Sequence, residues 1–274
     1  MTTTTILDPA PTKALAHHPT ARDSARIPLT RLVRVELRKM LDTRSGFWLI
    51  ASIGITAVLA TVGVILFADG DDLTYSTFAT AIRFPVVIIL PLIAILAVTS
   101  EWTQRTGLTT FTLVPHRQRV ITAKAISSVI IAIAAMALTF AVGALGNLLG
   151  STIMGLDPVW DVSLAAGAQI LLGNLVGMAI GFTLGVVLRN SAAAIVGYFV
   201  VSLVLPGILA LLAQVRSWFA DLQPWIDWNY TQVALFERAT DTAREWAMLA
   251  STTGIWIALP LTIGLLSLRR SEVK

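Results

Sequence analysis

From position 125 to position 156 the chain reads AISSVIIAIAAMALTFAVGALGNLLGSTIMGL, 32 residues without an Asp, Glu, Lys, Arg or His among them. A helix on the surface of a water-soluble protein keeps a polar face. This stretch has none, and about 20 helical residues suffice to cross the hydrocarbon core of a bilayer. Working outward, five further charge-free runs stand at 45–68, 84–100, 162–188, 190–215 and 246–268, with lengths of 24, 17, 27, 26 and 23 residues. Over all 274 residues only 13% are charged, against about 25% in soluble domains. The expected fold is an all-α membrane protein with six transmembrane helices. The second run is the shortest and contains Pro85 and Pro91, so its beginning is the least defined boundary.

Lys and Arg gather in alternate connections. Sixteen of the 20 lie before the first run, between the second and third, just after the fourth, or behind the sixth. The remaining connections hold Arg83, Arg216, Arg238 and Arg244 against ten acidic residues. The positive-inside rule then places both termini in the cytoplasm, in agreement with an even number of spans. The net charge of +4 therefore expresses topology. It does not suggest nucleic-acid binding, because no basic patch is interleaved with aromatics for stacking.

Residues 1–27 are rich in Thr, Ala and Pro and lack an apolar h-region, so they read as a disordered cytoplasmic tail and not as a signal peptide. Residues 28–44 carry Leu29, Leu32, Val33, Leu37, Met40 and Leu41 at helical spacing, with Arg31, Arg34, Arg38 and Lys39 mostly around the other faces. That pattern suits an amphipathic helix at the membrane interface; a water-exposed extension of the first span would look similar. Glu36 falls close to the apolar stripe, either pairing with Lys39 three residues on or touching a partner subunit.

The transmembrane domain is expected over 45–270. Within it, 216–245 concentrates Trp218, Phe219, Trp225, Trp228 and Tyr230, with Trp246 next. Such residues favour the membrane–water interface. They suggest one or two short helices lying on, or dipping into, the outer leaflet, as a plain aromatic belt or as a lid. The fourth run repeats Gly173, Gly177, Gly181 and Gly185 every four residues, a row that lets another helix approach closely, inside the chain or at a dimer seam. Asn147, Gln169 and Asn174 are the polar amides well inside the runs. They would serve interhelical hydrogen bonds or line a substrate path.

Nothing in the chain looks catalytic. There is no cysteine, and His17, His18 and His116 lack ligand spacing, so no metal site is expected. The phosphate-binding pattern G-x-x-x-x-G-K-[ST] is absent, so the chain is expected to be no enzyme and to bind no cofactor itself. Proton-coupled transporters rely on ionisable groups at depth, and the charge-free runs hold none. Sodium coupling is disfavoured less, because backbone carbonyls can hold that ion. If the task is transport, a separate polypeptide must hydrolyse the nucleotide.

Such a partner would grip the segment EWTQRTGLTTFTLVPHRQRVITAK at 101–124. Ser100 can cap a helix beginning at Glu101, with Arg105 placed four residues on to pair with it. Pro115 would end that helix, and Arg117, Arg119 and Lys124 flank the third span. An ordinary basic loop is the plainer alternative.

In Glu101, Arg105-Thr106-Gly107, Leu113-Val114-Pro115-His116-Arg117 and Ala123-Lys124 the segment resembles the ABC-2 type permease family, the membrane subunits of one class of ATP-binding-cassette exporters. Val35-Glu36-Leu37-Arg38-Lys39 is similar to that family's helix ahead of the first span, and the six-span plan extends the likeness over most of 28–270. Two departures are Thr106 standing before Gly107 and Trp102 in place of a Tyr or Phe.

The resemblance implies a cytoplasmic coupling helix within 101–119, between spans two and three. It also implies that Glu101, Trp102, Arg105, Thr106, Gly107, Pro115 and Arg117, with Glu36 and Lys39, meet the partner ATPase. Two ATP-binding subunits would carry ATP and Mg, and a second permease chain, identical or a sibling, would complete a complex in a bacterial cell membrane. The cargo implied is hydrophobic or amphiphilic: a drug, a lipid or a peptide moved outward. The alternatives are a non-transporting immunity or signalling partner and an ion-coupled secondary transporter.

Overall fold

The computed structural model describes residues 27–103, 117–237 and 240–270. Among these the chain is helical, without a β-strand, and six helices are long and apolar enough to cross a membrane. This is the architecture of a multi-pass membrane protein.

Helix α1 (Leu29–Asp42) begins directly after Pro28, whose fixed φ suits a helix start. It buries Glu36 and Met40 and stops at Thr43. The Thr43 hydroxyl accepts from the Gly46 amide at 3.2 Å and so caps α2 (Arg44–Phe67). A Cβ on Gly46 would overlap the Met40 carbonyl oxygen, so only glycine permits so abrupt a passage from one helix to the next.

Helix α3 (Tyr75–Thr103) runs unbroken through Pro85 and Pro91. The second span therefore begins well before position 84, and Ser100 lies inside the helix instead of capping a new one. Glu101 belongs to the last turn of α3. The prolines read as breakers, but a membrane bundle tolerates them where neighbouring helices restore what is lost, and Pro91 sits against Gly181 of the fifth helix.

Helix α4 (Arg117–Met154) has 38 residues, about 57 Å at the helical rise, and so outruns a hydrocarbon core of about 30 Å. Helix α5 (Leu164–Leu188) starts at its Ser163 cap and ends on Arg189 at φ 53, and Asn190 then caps α6 (Ser191–Val215). Two short helices follow, α7 (Ser217–Ile226) and α8 (Trp228–Glu237). Helix α9 opens on a Thr242–Glu245 capping box and has two parts, Ala243–Thr253 and Leu259–Arg270.

Both α6 and α9 contain a π turn, Val200–Val204 and Gly254–Ala258, and Pro206 and Pro260 stand just beyond them. A proline ring clashes with the carbonyl four residues back, and a widened turn relieves that clash.

The helices alternate in direction. At one end, here the basic end, Lys124 of α4 meets Glu101 of α3, and Arg189 reaches the Ser267 hydroxyl of α9 at 2.9 Å. At the other, acidic end, Asp161 accepts from the amide of Ser76 at 2.8 Å and from its hydroxyl at 2.6 Å, which ties the α4–α5 loop to the start of α3.

Helix α5 is the centre of the bundle, packed on α3, α8, α9 and α6. Its glycine row makes the room. Gly173 and Gly177 face Phe236 and Gln232 of α8, while Gly181 and Gly185 face Pro91 and Val98 of α3. Helices α2 and α6 turn large apolar side chains outward, among them Leu59, Leu66, Leu203 and Leu211, as lipid-facing helices do.

Candidate functional site

Four charged side chains converge at the basic end. Glu36 lies on the inward face of α1, Glu101 on the last turn of α3 and Lys124 near the start of α4. Lys124 Nζ donates to Glu36 Oε2 at 2.6 Å and forms an ion pair with Glu101 Oε1 at 3.2 Å. Lys39 Nζ, one turn beyond Glu36, donates to Glu36 Oε1 at 2.9 Å and to Glu101 Oε1 at 3.3 Å. Lys124, Glu101 and Glu36 are buried, whereas the Lys39 side chain is 46% exposed.

Burial alone would lower the pKa of Lys39. The hydrogen bond and charge of Glu36, joined by those of Glu101, outweigh it and hold the amine above its usual value. Charges taken out of water in this way add little net stability over an apolar core. Removing one partner, however, strands the others at a cost of about 3–5 kcal/mol. The network thus welds α1 to the two helix ends that flank residues 104–116.

Beside the weld lies a cavity of about 390 Å³, lined by Glu36, Lys39, Glu101 and Lys124 on one side and by Leu49, Ile93, Leu96 and Ala97 on another.

Of the residues singled out from the sequence for partner coupling, the structure brings Glu36, Lys39 and Glu101 together, and both carboxylates face their own chain. Glu36 does pair with Lys39. Trp102 packs against the main apolar core. Arg117 opens α4. Arg105, Thr106, Gly107 and Pro115 lie outside the described residues, as do the tail 1–26 and most of the coupling segment.

Sequence reading did not pair Lys124 with Glu36, because 88 positions separate them. A lysine set against an otherwise charge-free run was the available signal.

The three amides are engaged in hydrogen bonds. Asn147 donates to the Val159 carbonyl at 3.0 Å, and Asn174 to the Ile170 carbonyl of its own helix at 2.8 Å. Gln169 clasps the Thr240 backbone, donating to its carbonyl at 3.2 Å and accepting from its amide at 2.9 Å.

At the acidic end α7 and α8 form a hairpin that dips into the bundle. Its turn is Asp227, whose Oδ1 accepts from the amides of Asn229 at 3.0 Å and Tyr230 at 3.4 Å, and whose Oδ2 accepts from Gln223 at 3.0 Å. This buried carboxylate, 3% exposed, caps α8 at its positive end. Trp228 is buried beside Ile95, Ile180 and Tyr198 and donates to the Val201 carbonyl in the π turn of α6, at 3.5 Å. Trp256, in the π turn of α9, donates to the Ile226 carbonyl at 2.7 Å. Gln232 donates to the Gly173 carbonyl at 2.8 Å. Asp227 and Gln232 were not singled out from the sequence, because the segment gives no sign of the depth it reaches.

No protein-family model matches the chain, and no curated protein matches it.

Proposed function

We propose that the chain is the membrane subunit of an ATP-driven exporter of the ABC-2 type, with both termini in the cytoplasm and the basic end facing a separate ATPase. One observation carries the reading: the largely buried Glu36–Lys39–Glu101–Lys124 network joins α1, α3 and α4 where the motif-bearing segment leaves and rejoins the bundle. A push on that segment or on α1 is transmitted through the network to α3, and from α3 to the glycine face of α5. On this reading a second permease chain pairs with this one and the cargo is hydrophobic or amphiphilic. The ATP-dependent step belongs to the partner.

The test is co-reconstitution in proteoliposomes with an ATP-binding-cassette subunit encoded beside this chain. A stable complex with stimulated ATPase activity is expected. A chain that recruits no ATPase and still moves solute refutes the reading. Ion-coupled transport would draw on the buried Asp227 carboxylate. Against it, three donors already hold that group as a helix cap. Flux driven by an ion gradient without ATP would favour the carrier.

A further inference from the structure

The cavity at the basic end has walls of unlike chemistry. Leu49 of α2 and Ile93, Leu96 and Ala97 of α3 make an apolar side, and Glu101 stands with the two lysines at the polar side. Glu101 is engaged through Oε1 alone, accepting from Lys39 at 3.3 Å and ion-paired with Lys124 at 3.2 Å. Its Oε2 is buried and has no hydrogen-bond partner among the described residues. Buried polar atoms in native proteins are rarely left so, and an orphaned one calls for an explanation. The terminal torsion of a glutamate is broad and roughly two-fold, so a half-turn of the carboxylate exchanges its two oxygens.

We propose that this cavity binds an amphiphile bearing a primary ammonium group, with the ammonium on Glu101 and the alkyl part along Leu49, Ile93 and Leu96. The proposal rests on the exporter reading and names its substrate class. Charge selects the head group. The two glutamates and two lysines cancel, but the atom left unpartnered is a carboxylate oxygen, Glu101 Oε2, which can only accept, so it calls for a donor and repels an anionic head. A cation completes the hydrogen bonding of Glu101 with a charge-assisted bond. Lys39, with its side chain 46% exposed, can release Glu101 and snorkel to water as the ligand enters, whereas Lys124 at 2% cannot. The volume, about 390 Å³, falls in the usual range of small-molecule sites, about 300–1,000 Å³.

The experiment places the full chain, without any ATPase, in phosphatidylcholine nanodiscs and measures equilibrium binding of radiolabelled dodecylamine. Saturable binding is expected, competed by unlabelled dodecylamine and not by dodecanoate. Glu101→Gln should weaken it by about tenfold or more. Ala97→Phe fills the apolar side while leaving every charge in place and should do likewise, so the test does not hang on a variant that alters the weld. Exchanging part of the lipid for phosphatidylethanolamine identifies the source of the ammonium: reduced dodecylamine binding points to a lipid head group, and unchanged binding to a free amine. Either result keeps the ammonium site.

Uptake no greater than by empty discs, equal competition by dodecanoate, or unchanged affinity in both variants overturns the proposal. Because no partner is present, such a failure leaves ATPase coupling untouched, and a failure to recruit an ATPase leaves the binding result standing.

Discussion

A Cβ added to Gly181 would stand 2.7 Å from the Pro91 carbonyl oxygen and 2.9 Å from the Pro91 Cβ. Backbone cannot give way cheaply, so Gly181→Ala is expected to destabilise the protein by about 1–3 kcal/mol, read as an earlier thermal unfolding midpoint in detergent. Gly167, with nothing within 4 Å, is the control; alanine there should be neutral or gain about 0.5–1 kcal/mol. Among the charges, Lys124→Met leaves two buried carboxylates to the half-exposed Lys39 alone and should cost about 3–5 kcal/mol. Lys39→Met, at a half-exposed position, should cost about 1 kcal/mol or less. Equal losses in chemical denaturation would contradict this ranking.

Asp161 gives a pH signature. Burial on its own would raise its pKa, but the hydroxyl and amide of Ser76 and the hydroxyl of Thr74 hold it below the ordinary 3.8. A carboxyl lowered by folding contributes stability that is complete above pH 3.8 and is lost as the pH falls through the lowered value. The wild type should therefore lose stability below pH 3.8 more steeply than Asp161→Asn; parallel acid curves for the two would remove the group from this role.

Elements were legible where one physical signal dominated. The absence of charge located all six spans, since water can satisfy none of those surfaces. The start of α3 was misplaced because Arg83 and two prolines look like a boundary. In the folded chain Arg83 stacks over the Phe236 ring at 4.6 Å, and the helix passes through the prolines against α5. The glycine row announced close packing but not its partners, which turned out to be α3 and α8 of the same chain.

The α7–α8 hairpin was half legible: one or two short aromatic helices were expected, but their depth depends on contacts with α5, α6 and α9 that no local pattern encodes. Since the chain has no cysteine, that depth can be probed directly. Thr231→Cys, buried against Thr252, should resist an aqueous maleimide, whereas Trp218→Cys, at a position 66% exposed, should react. Adding Trp228→Ala removes the hairpin's largest buried side chain, at a cost of about 3–5 kcal/mol, and should open Thr231→Cys to labelling. Protection that survives Trp228→Ala would mean the hairpin is held by its polar clasps alone.

At the scale of the whole molecule, the two ends of the bundle differ in construction. The acidic end is held by side-chain hydrogen bonds to backbone: Asp161 on Ser76, Gln169 on Thr240 and Gln232 on Gly173. The basic end is held by ion pairs around a cavity, and these bind α1 to α3 and α4 more than they add stability. An arrangement of that kind suits a place where force enters. The candidate residues at this end could be nominated one by one from the chain, but their convergence could not, because Glu36, Glu101 and Lys124 come from three separate helices.

The direct measurement is ATPase activity of the co-reconstituted partner with wild-type chain and with Glu101→Gln combined with Arg105→Ala, assembly being checked by co-purification. Stimulation by the wild type that falls to the unstimulated level in the double variant, with the complex intact, is the expected result. Equal stimulation by the two chains in equally assembled complexes would show that force does not pass through this network.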